Sequence, residues 1–188
     1  MENEIKEIHL FLLEKCDHTC ELCCNKQYEI DKIPVIAVDE LKQAETILFT
    51  GGEPFLVGSG LIELAKRIKA QYSNIKNIYA YTSGAALLKY LMDNLLHPEN
   101  VLSYLDGVSI APKNKNDMKC LETLFFNYQQ LLNNLRSNRI YMFPEFKDKI
   151  ESLYNSTPEL NHIDLIDREW QETFEPGQGV FRRLPILY

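Results

Sequence analysis

Apolar positions in this chain form short continuous runs that alternate with stretches of helical spacing. Residues 8–13 (IHLFLL) are apolar with almost no polar alternation, and residues 46–50 (TILFT) repeat the pattern just before Gly51 and Gly52. Such runs are expected of strands covered on both faces in a parallel sheet. Between 59 and 72, Leu61, Ile62, Leu64, Ala65, Ile68 and Tyr72 recur at the spacing of an amphipathic helix, with Ser59 placed as its N-cap. The alternation continues with a strand at 77–81, a helix at 85–96 stopped before Pro98, and a strand at 107–111. A long helix at 117–135 aligns Leu121, Leu124, Phe125, Tyr128, Leu131, Leu132 and Leu135, and is followed by a strand at 140–143, a short helix at 146–154 and a last strand at 162–166. Six strands alternating with helices predict an α/β fold, a parallel sheet wrapped by right-handed crossovers. The chain reads as a single domain over 1–188, its core at 8–166, and the tail 167–188, with Pro176, Gly177, Gly179 and Pro185, reads as irregular chain packed over the body.

Composition narrows the class without changing the fold. The 188 residues carry 20 Lys+Arg and 27 Asp+Glu, a net charge of −7, with 45% hydrophobic residues, which is ordinary for a globular domain and unlike a disordered or collagen-like chain. An acidic balance argues against non-specific nucleic-acid binding, which needs Lys and Arg to displace phosphate counterions. No apolar run is long enough to span a bilayer, and Met1-Glu2-Asn3-Glu4 lacks the basic and apolar regions of a signal peptide, so a cytoplasmic protein with no membrane partner is expected.

The cysteines are unevenly placed. Of five, Cys16, Cys20, Cys23 and Cys24 crowd together directly after the first strand, and only Cys120 lies elsewhere. In a reducing compartment such a cluster points to a metal rather than to disulfides. Cys16, Cys20 and Cys23, spaced C-x3-C-x2-C, can hold three corners of an iron–sulfur cube and leave the fourth iron open, whereas a closed electron-transfer cluster uses four cysteines. Thr50-Gly51-Gly52-Glu53-Pro54 directly follows the second strand. Ligands of parallel α/β folds bind at the carboxyl ends of the strands, so both motifs fall on one rim. The double glycine lets backbone approach a ligand or take positive φ, Glu53 offers a carboxylate to an amine, and Pro54 suits the first turn of the next element.

These motifs resemble the radical S-adenosylmethionine superfamily, of which the chain looks like a minimal-core member. The resemblance covers about residues 8–166, whose six strands match the family's partial (βα)6 TIM-like barrel of parallel strands. It implies that Cys16, Cys20 and Cys23 ligate a 4Fe–4S cluster and that the methionine end of S-adenosylmethionine chelates the fourth iron. It places Leu22 against the adenine and Gly51, Gly52 and Glu53 on the methionine amino group. By strand position it brings Ser109 to the ribose or carboxylate, with Thr82 and Ser83 facing the site. The chemistry implied is reductive cleavage of S-adenosylmethionine to a 5′-deoxyadenosyl radical that takes a hydrogen atom from a substrate. The electron comes from an external one-electron reductant such as a flavodoxin or ferredoxin. Two cysteines remain after three are used, too few for a second all-cysteine cluster. The short tail leaves the site to be closed by the substrate or by a second subunit in a homodimer.

Plainer readings stand beside these. Clustered cysteines also mark structural zinc, with Cys24 or His18 as a fourth ligand, but zinc sites usually pair two short ligand motifs and need no Gly51-Gly52-Glu53. Cys24 and Cys120 read as packing thiols, His18 as a loop residue or a hydrogen bonder to the cluster sulfurs, and His9 as a satisfied core histidine. Lys113 and Lys115 lie in a polar loop at the active rim, and Trp170, Arg182 and Arg183 either cover the barrel mouth or pack. The substrate, whether metabolite, peptide or partner protein, is not written in these motifs. A 7-carboxy-7-deazaguanine-synthase-like enzyme and an activase that installs a glycyl radical on a partner are the alternatives within the family. A non-catalytic zinc or iron–sulfur protein is the alternative outside it.

Overall fold

Continuous apolar runs do become strands. The computed structural model describes residues 5–20, 23, 29–94, 101–169 and 179–188. Strands β1 (Glu7–Phe11), β2 (Thr46–Thr50), β3 (Asn77–Thr82), β4 (Gly107–Ile110), β5 (Asn138–Met142), β6 (Ile163–Asp167) and β7 (Val180–Arg183) form one sheet, ordered β6-β5-β4-β3-β2-β1-β7. Every pairing is parallel, and the edge strands β6 and β7 do not meet, so the sheet is not closed. Helices α1 (Val38–Gln43), α2 (Ser59–Gln71), α3 (Ala85–Asp93), α4 (Lys115–Asn127), α5 (Gln129–Asn133) and α6 (Lys147–Asn155) lie in the crossovers. None of the described helices is long and apolar enough to cross a membrane.

With strands added in sequence order by right-handed crossovers, the helices gather on one face. Ile8 and Leu10 of β1, Ile47 and Phe49 of β2, and Ile78 and Ala80 of β3 bury that face in one cluster with Leu61 and Ala65 of α2 and Leu87 of α3. Each fully buried Leu, Ile or Phe contributes about 2 kcal/mol. Alternation sends the intervening residues to the other, inner face: His9 and Phe11, then Tyr79 and Tyr81, Ser109, and Arg139 and Tyr141, the register setting Tyr81 beside Ser109 and Ser109 beside Arg139. At the amino-terminal rim Asp106 accepts from the Ile78 N–H and pairs with Lys69 Nζ, each at 2.7 Å, which leaves that rim a structural one.

The structure corrects three expectations and decides between the two readings of the tail arginines. The tail is not wholly irregular: Val180–Arg183 is a seventh strand docked on β1 from Ile8↔Val180 to Phe11↔Arg183, and the sheet therefore extends past the 8–166 core. Its arginines do not cover the mouth, since Arg182 pairs with Glu40 of α1 at 2.6 Å and Arg183 Nε donates to the Ile33 carbonyl at 3.1 Å. The long helix at 117–135 is two helices, α4 and α5, because Tyr128 leaves helical backbone (φ −125, ψ 18) between them. Ser59 is the first residue of α2 rather than its cap, a place taken by Gly58 at φ 65. Helix α1 is an element the apolar pattern did not announce, for it has no buried residue.

Candidate functional site

The parallel sheet brings the loops after β1, β2, β3 and β4 to one rim, where Cys16, Glu53, Ser83 and Lys113 follow their strands. Pairing between β1 and β2 continues past the strand ends. Leu12 N–H donates to the Thr50 carbonyl at 3.0 Å, Gly52 N–H to Leu13 at 2.7 Å, and Glu53 N–H to Lys15 at 2.9 Å. The root of the cysteine loop is thus held by the backbone of the glycine loop. Both glycines are needed for this approach. Gly51 sits at φ 127, and a Cβ there would lie 2.5 Å from the Leu13 carbonyl oxygen, while one on Gly52 would overlap the Lys15 carbonyl. The backbone approach read from the sequence is therefore made first to the protein's own chain.

Glu53 caps the 3₁₀ turn at Pro54–Val57, with Pro54 in its first turn as expected. Its side chain is only 2% exposed. One carboxylate oxygen accepts from Phe55 N–H at 3.2 Å; the other accepts from Thr82 Oγ1 at 3.1 Å and Ser83 N–H at 3.0 Å. Thr82 and Ser83, both singled out from sequence, are thereby assembled around the carboxylate of Glu53. Burial pushes Glu53 up from 4.5 to about 7, against the hydrogen bonds from Ser83 and Phe55 that lower it and with the charge of Asp17 adding to the rise. Its folded pKa exceeds its unfolded one, so the stability it contributes is complete below 4.5 and is lost as pH rises through 7, roughly 3 kcal/mol in all. Glu53→Gln removes the titration. Its stability relative to the native chain, measured by urea unfolding, is expected to be more favourable at pH 8 than at pH 5 by an amount of that order.

The cysteine loop has a second anchor. His18 Nδ1 lies 2.6 Å from Asp17 Oδ1, and His18 Nε2 lies 2.8 and 2.9 Å from the two oxygens of Asp117. Asp117 is fully buried in the first turn of α4, where it also accepts from Lys113 N–H at 2.8 Å, and Asn114 caps that helix by accepting from Asn116 and Asp117. Burial pulls His18 down, but the hydrogen bonds to Asp17 and Asp117 outweigh it, and its pKa is raised from 6.5. His18 is thus a tether between the cysteine loop and α4, a role closer to orienting ligands than to ligating. Asp117→Ala leaves Lys113 N–H and His18 without their acceptor. It is expected to cost about 3 kcal/mol and to speed amide hydrogen exchange at 16–20 well above that of the sheet.

Cys16 is exposed, Cys20 and Cys23 are half-buried, and none of the three is locked in the core. Desolvation by the chain around it holds the Cys16 thiol up at about 11, opposed by a backbone hydrogen bond from His18 and reinforced by Asp17 and Glu53. Any metal bound there displaces protons as it binds. Cys16, Asp17 and His18 place ligand atoms within 4.8 Å of one another, a spacing that suits a single ion, although both His18 nitrogens already face carboxylates. Cys20 and Cys23 stand outside that trio, and a cube of four irons spreads its thiolates more widely than one ion does. Three thiols on one loop at an accessible rim are a donor set chemically suited to an iron–sulfur cluster.

Among the other expected residues, Ser109 is fully buried on the inner face, and its Oγ has no hydrogen-bond partner among the described residues. It is not joined to the Glu53 group. Cys120 lies on α4 with Asn116 Nδ2 3.9 Å from its sulfur, and burial followed by the charges of Asp117 and Asp17 raises its pKa. His9 is buried, bonded to Glu7 at 2.9 Å and stacked on Tyr81, as a core histidine. Leu22, Cys24 and Trp170 lie outside the described residues. Sequence reasoning missed Asp117, whose only local signal is its place three residues after the capping Asn114, and the arginines Arg139 and Arg168; it reads the aromatics Tyr81 and Tyr141 as core with an inward-facing subset lining a pocket, and both lie on the inner face.

A family model described as a 4Fe-4S single cluster domain matches residues 7–132, from β1 through α5. No curated protein matches the chain. Among solved structures, a family 18 chitinase from Crocus vernus is similar at 14% identity and TM-score 0.38, covering 84% of this chain and 67% of its own. The catalytic domain of a family GH18 chitinase from the fern Peteris ryukyuensis is similar at 11% identity and TM-score 0.39, covering 85% and 67%. Neither likeness bears on what this chain does.

Proposed function

This chain belongs to the 4Fe-4S single cluster domain family, and from that premise we propose that it is a radical S-adenosylmethionine enzyme. Cys16, Cys20 and Cys23 are the residues that would hold the cluster. Held there, the cluster would supply one-electron chemistry for the reductive cleavage of S-adenosylmethionine and, through it, hydrogen-atom abstraction from a substrate. The observation that supports this reading is the hydrogen-bonded seam from Thr50 to Glu53 along the root of the cysteine loop, which ties the loop carrying the three thiols to one carrying a buried carboxylate. A zinc site gives no reason for that seam.

The chain's own residues have three tasks. Glu53, poised near neutrality, would stay ionised against the cofactor's ammonium, and Thr82 and Ser83 hold its second oxygen in place. Gly51 and Gly52 keep the thiols and that carboxylate in fixed relation. His18 and Asp117 hold the far side of the loop. The electron donor is a flavodoxin- or ferredoxin-type protein, and the substrate is a small molecule, a peptide or a partner protein, with closure by a second copy of the chain as one arrangement. A glycyl-radical activase and a 7-carboxy-7-deazaguanine-synthase-like enzyme both fit these parts.

The test is anaerobic reconstitution, iron and sulfide analysis, and assay of 5′-deoxyadenosine and methionine formed from S-adenosylmethionine under dithionite. Equal yields of both products are expected. The competing reading, a zinc protein, is favoured by the close trio of Cys16, Asp17 and His18. A colourless, zinc-loaded protein that cleaves nothing would establish it instead.

A further inference from the structure

The inner face of the sheet carries a charge arrangement that neither the cluster nor the cofactor explains. Arg139 Cζ lies 4.7 Å from the centre of the Tyr79 ring, and Arg168 Cζ lies 4.8 Å from that of Tyr141. Tyr141 in turn stacks on Tyr81 with centroids 6.1 Å apart, and the charges of Arg168 and Arg139 both reach the Tyr81 hydroxyl. Both arginines are half-buried. Among the described residues neither guanidinium pairs with a carboxylate or donates a side-chain hydrogen bond, although the chain carries a net charge of −7. Arg182, by contrast, is paired with Glu40. A guanidinium supported by an aromatic ring keeps its N–H donors available for a planar oxyanion. A second, independent sign lies next to them. Ser109, in register with Arg139 on one side and Tyr81 on the other, is wholly buried, yet its Oγ has no partner among the described residues. A buried hydroxyl left unpaired costs about 1–3 kcal/mol, a cost that a bound acceptor would offset.

We infer that Arg139, Arg168 and Ser109 form an oxyanion site on the inner face, so that the substrate presents a carboxylate or phosphate group there. This deepens the enzyme reading by naming the class of substrate, and it rests on that reading only in calling the bound molecule a substrate. A substrate held by its anionic end between two ring-backed arginines would lie on the aromatic face below the cysteine rim.

The probes are inorganic phosphate and benzoate, titrated into the cluster-loaded protein at ionic strength matched with chloride, and followed by calorimetry and by arginine side-chain NMR signals. Saturable millimolar binding of at least one probe is expected, and the preference between them separates a phosphate substrate from a carboxylate one. Arg139→Gln and Arg168→Gln should each weaken binding about tenfold or more, the two Arg→Lys replacements less, and Ser109→Ala about threefold. Lys149→Gln, on the exposed side of α6, should leave it unchanged. Circular dichroism and melting temperature establish that each variant is folded, and Arg139→Lys keeps the test alive if a Gln variant is not. The inference is overturned by binding no stronger than that of chloride, by binding that survives in the Arg139→Gln/Arg168→Gln double variant, or by competitive displacement by S-adenosylmethionine, which would give the arginines to the cofactor's own carboxylate. Anion binding without S-adenosylmethionine cleavage would remove the enzyme reading and leave the site standing.

Discussion

Cys20→Ala protein, purified and reconstituted anaerobically, is expected to hold less than a tenth of the native iron and sulfide, and Cys16→Ala and Cys23→Ala are expected to match it. A three-thiolate cluster has no spare protein ligand, so loss of one leaves two irons without a protein donor. Cys120→Ala should retain the full iron content, because its thiol lies on α4 beside Asn116 and is not on the loop. The measurement is iron and sulfide per chain together with the visible absorption of the cluster. Native-like iron in Cys20→Ala would remove Cys20 from the ligand set. The same samples test catalysis, since S-adenosylmethionine cleavage should fall with iron content in the loop variants and remain in Cys120→Ala.

Gly52→Ala is expected to be the most damaging single-methyl change in the described chain's functional rim. The added carbon would overlap the Lys15 carbonyl, which is backbone and cannot rotate aside, so the loops after β1 and β2 must separate. That separation breaks the Gly52–Leu13 and Glu53–Lys15 hydrogen bonds and disturbs the cap on Glu53. A loss of about 4 kcal/mol is expected, a large part of the margin of a domain this size. Gly58→Ala is the control: unlike Gly52, Gly58 carries a positive φ, at 65, but a Cβ there meets nothing within 4 Å, so only the backbone strain of about 1 kcal/mol should be felt. Urea unfolding of the two variants checks the contrast. A loss at Gly52 no larger than that at Gly58 would show that the loops yield to the added methyl and that the contact with Lys15 does not govern the glycine loop.

Much of this architecture can be read from local pattern because the strands are buried on both faces, and continuous apolar runs such as TILFT at Thr46–Thr50 suit few structures besides a covered strand. Val180–Arg183 (VFRR) evades that reading. It sends Phe181 to the inner face against Phe11 while Arg182 turns outward to Glu40, so half of its residues are charged although it is a paired strand. The thiols and the glycine loop stand out in the sequence because each is a motif whose residues lie close together along the chain. What holds them does not. His18 and Asp117 are 99 positions apart, Glu53 and Thr82 are 29 apart, and no periodicity links such pairs before the fold exists. The burial of Glu53 belongs to the same class: a sequence shows that a carboxylate follows two glycines, but only the packing of the loop after β3 shows that water has been removed from it.

The docking of β7 on β1 has a consequence for how the protein is made. During synthesis β1 and the thiols behind it emerge before the other strands of the sheet, yet β1 gains its second neighbour only when Val180 reaches Ile8 and Tyr188 N–H finds the Leu12 carbonyl. Until then a strand of Ile8, Leu10 and Phe11 stands at an open sheet edge, where unpaired backbone invites association with other chains. Such long-range closure is also slow, since distant segments must meet before the contact rewards them. The nascent chain therefore passes through an interval in which the loop that carries its thiols follows an unfinished edge.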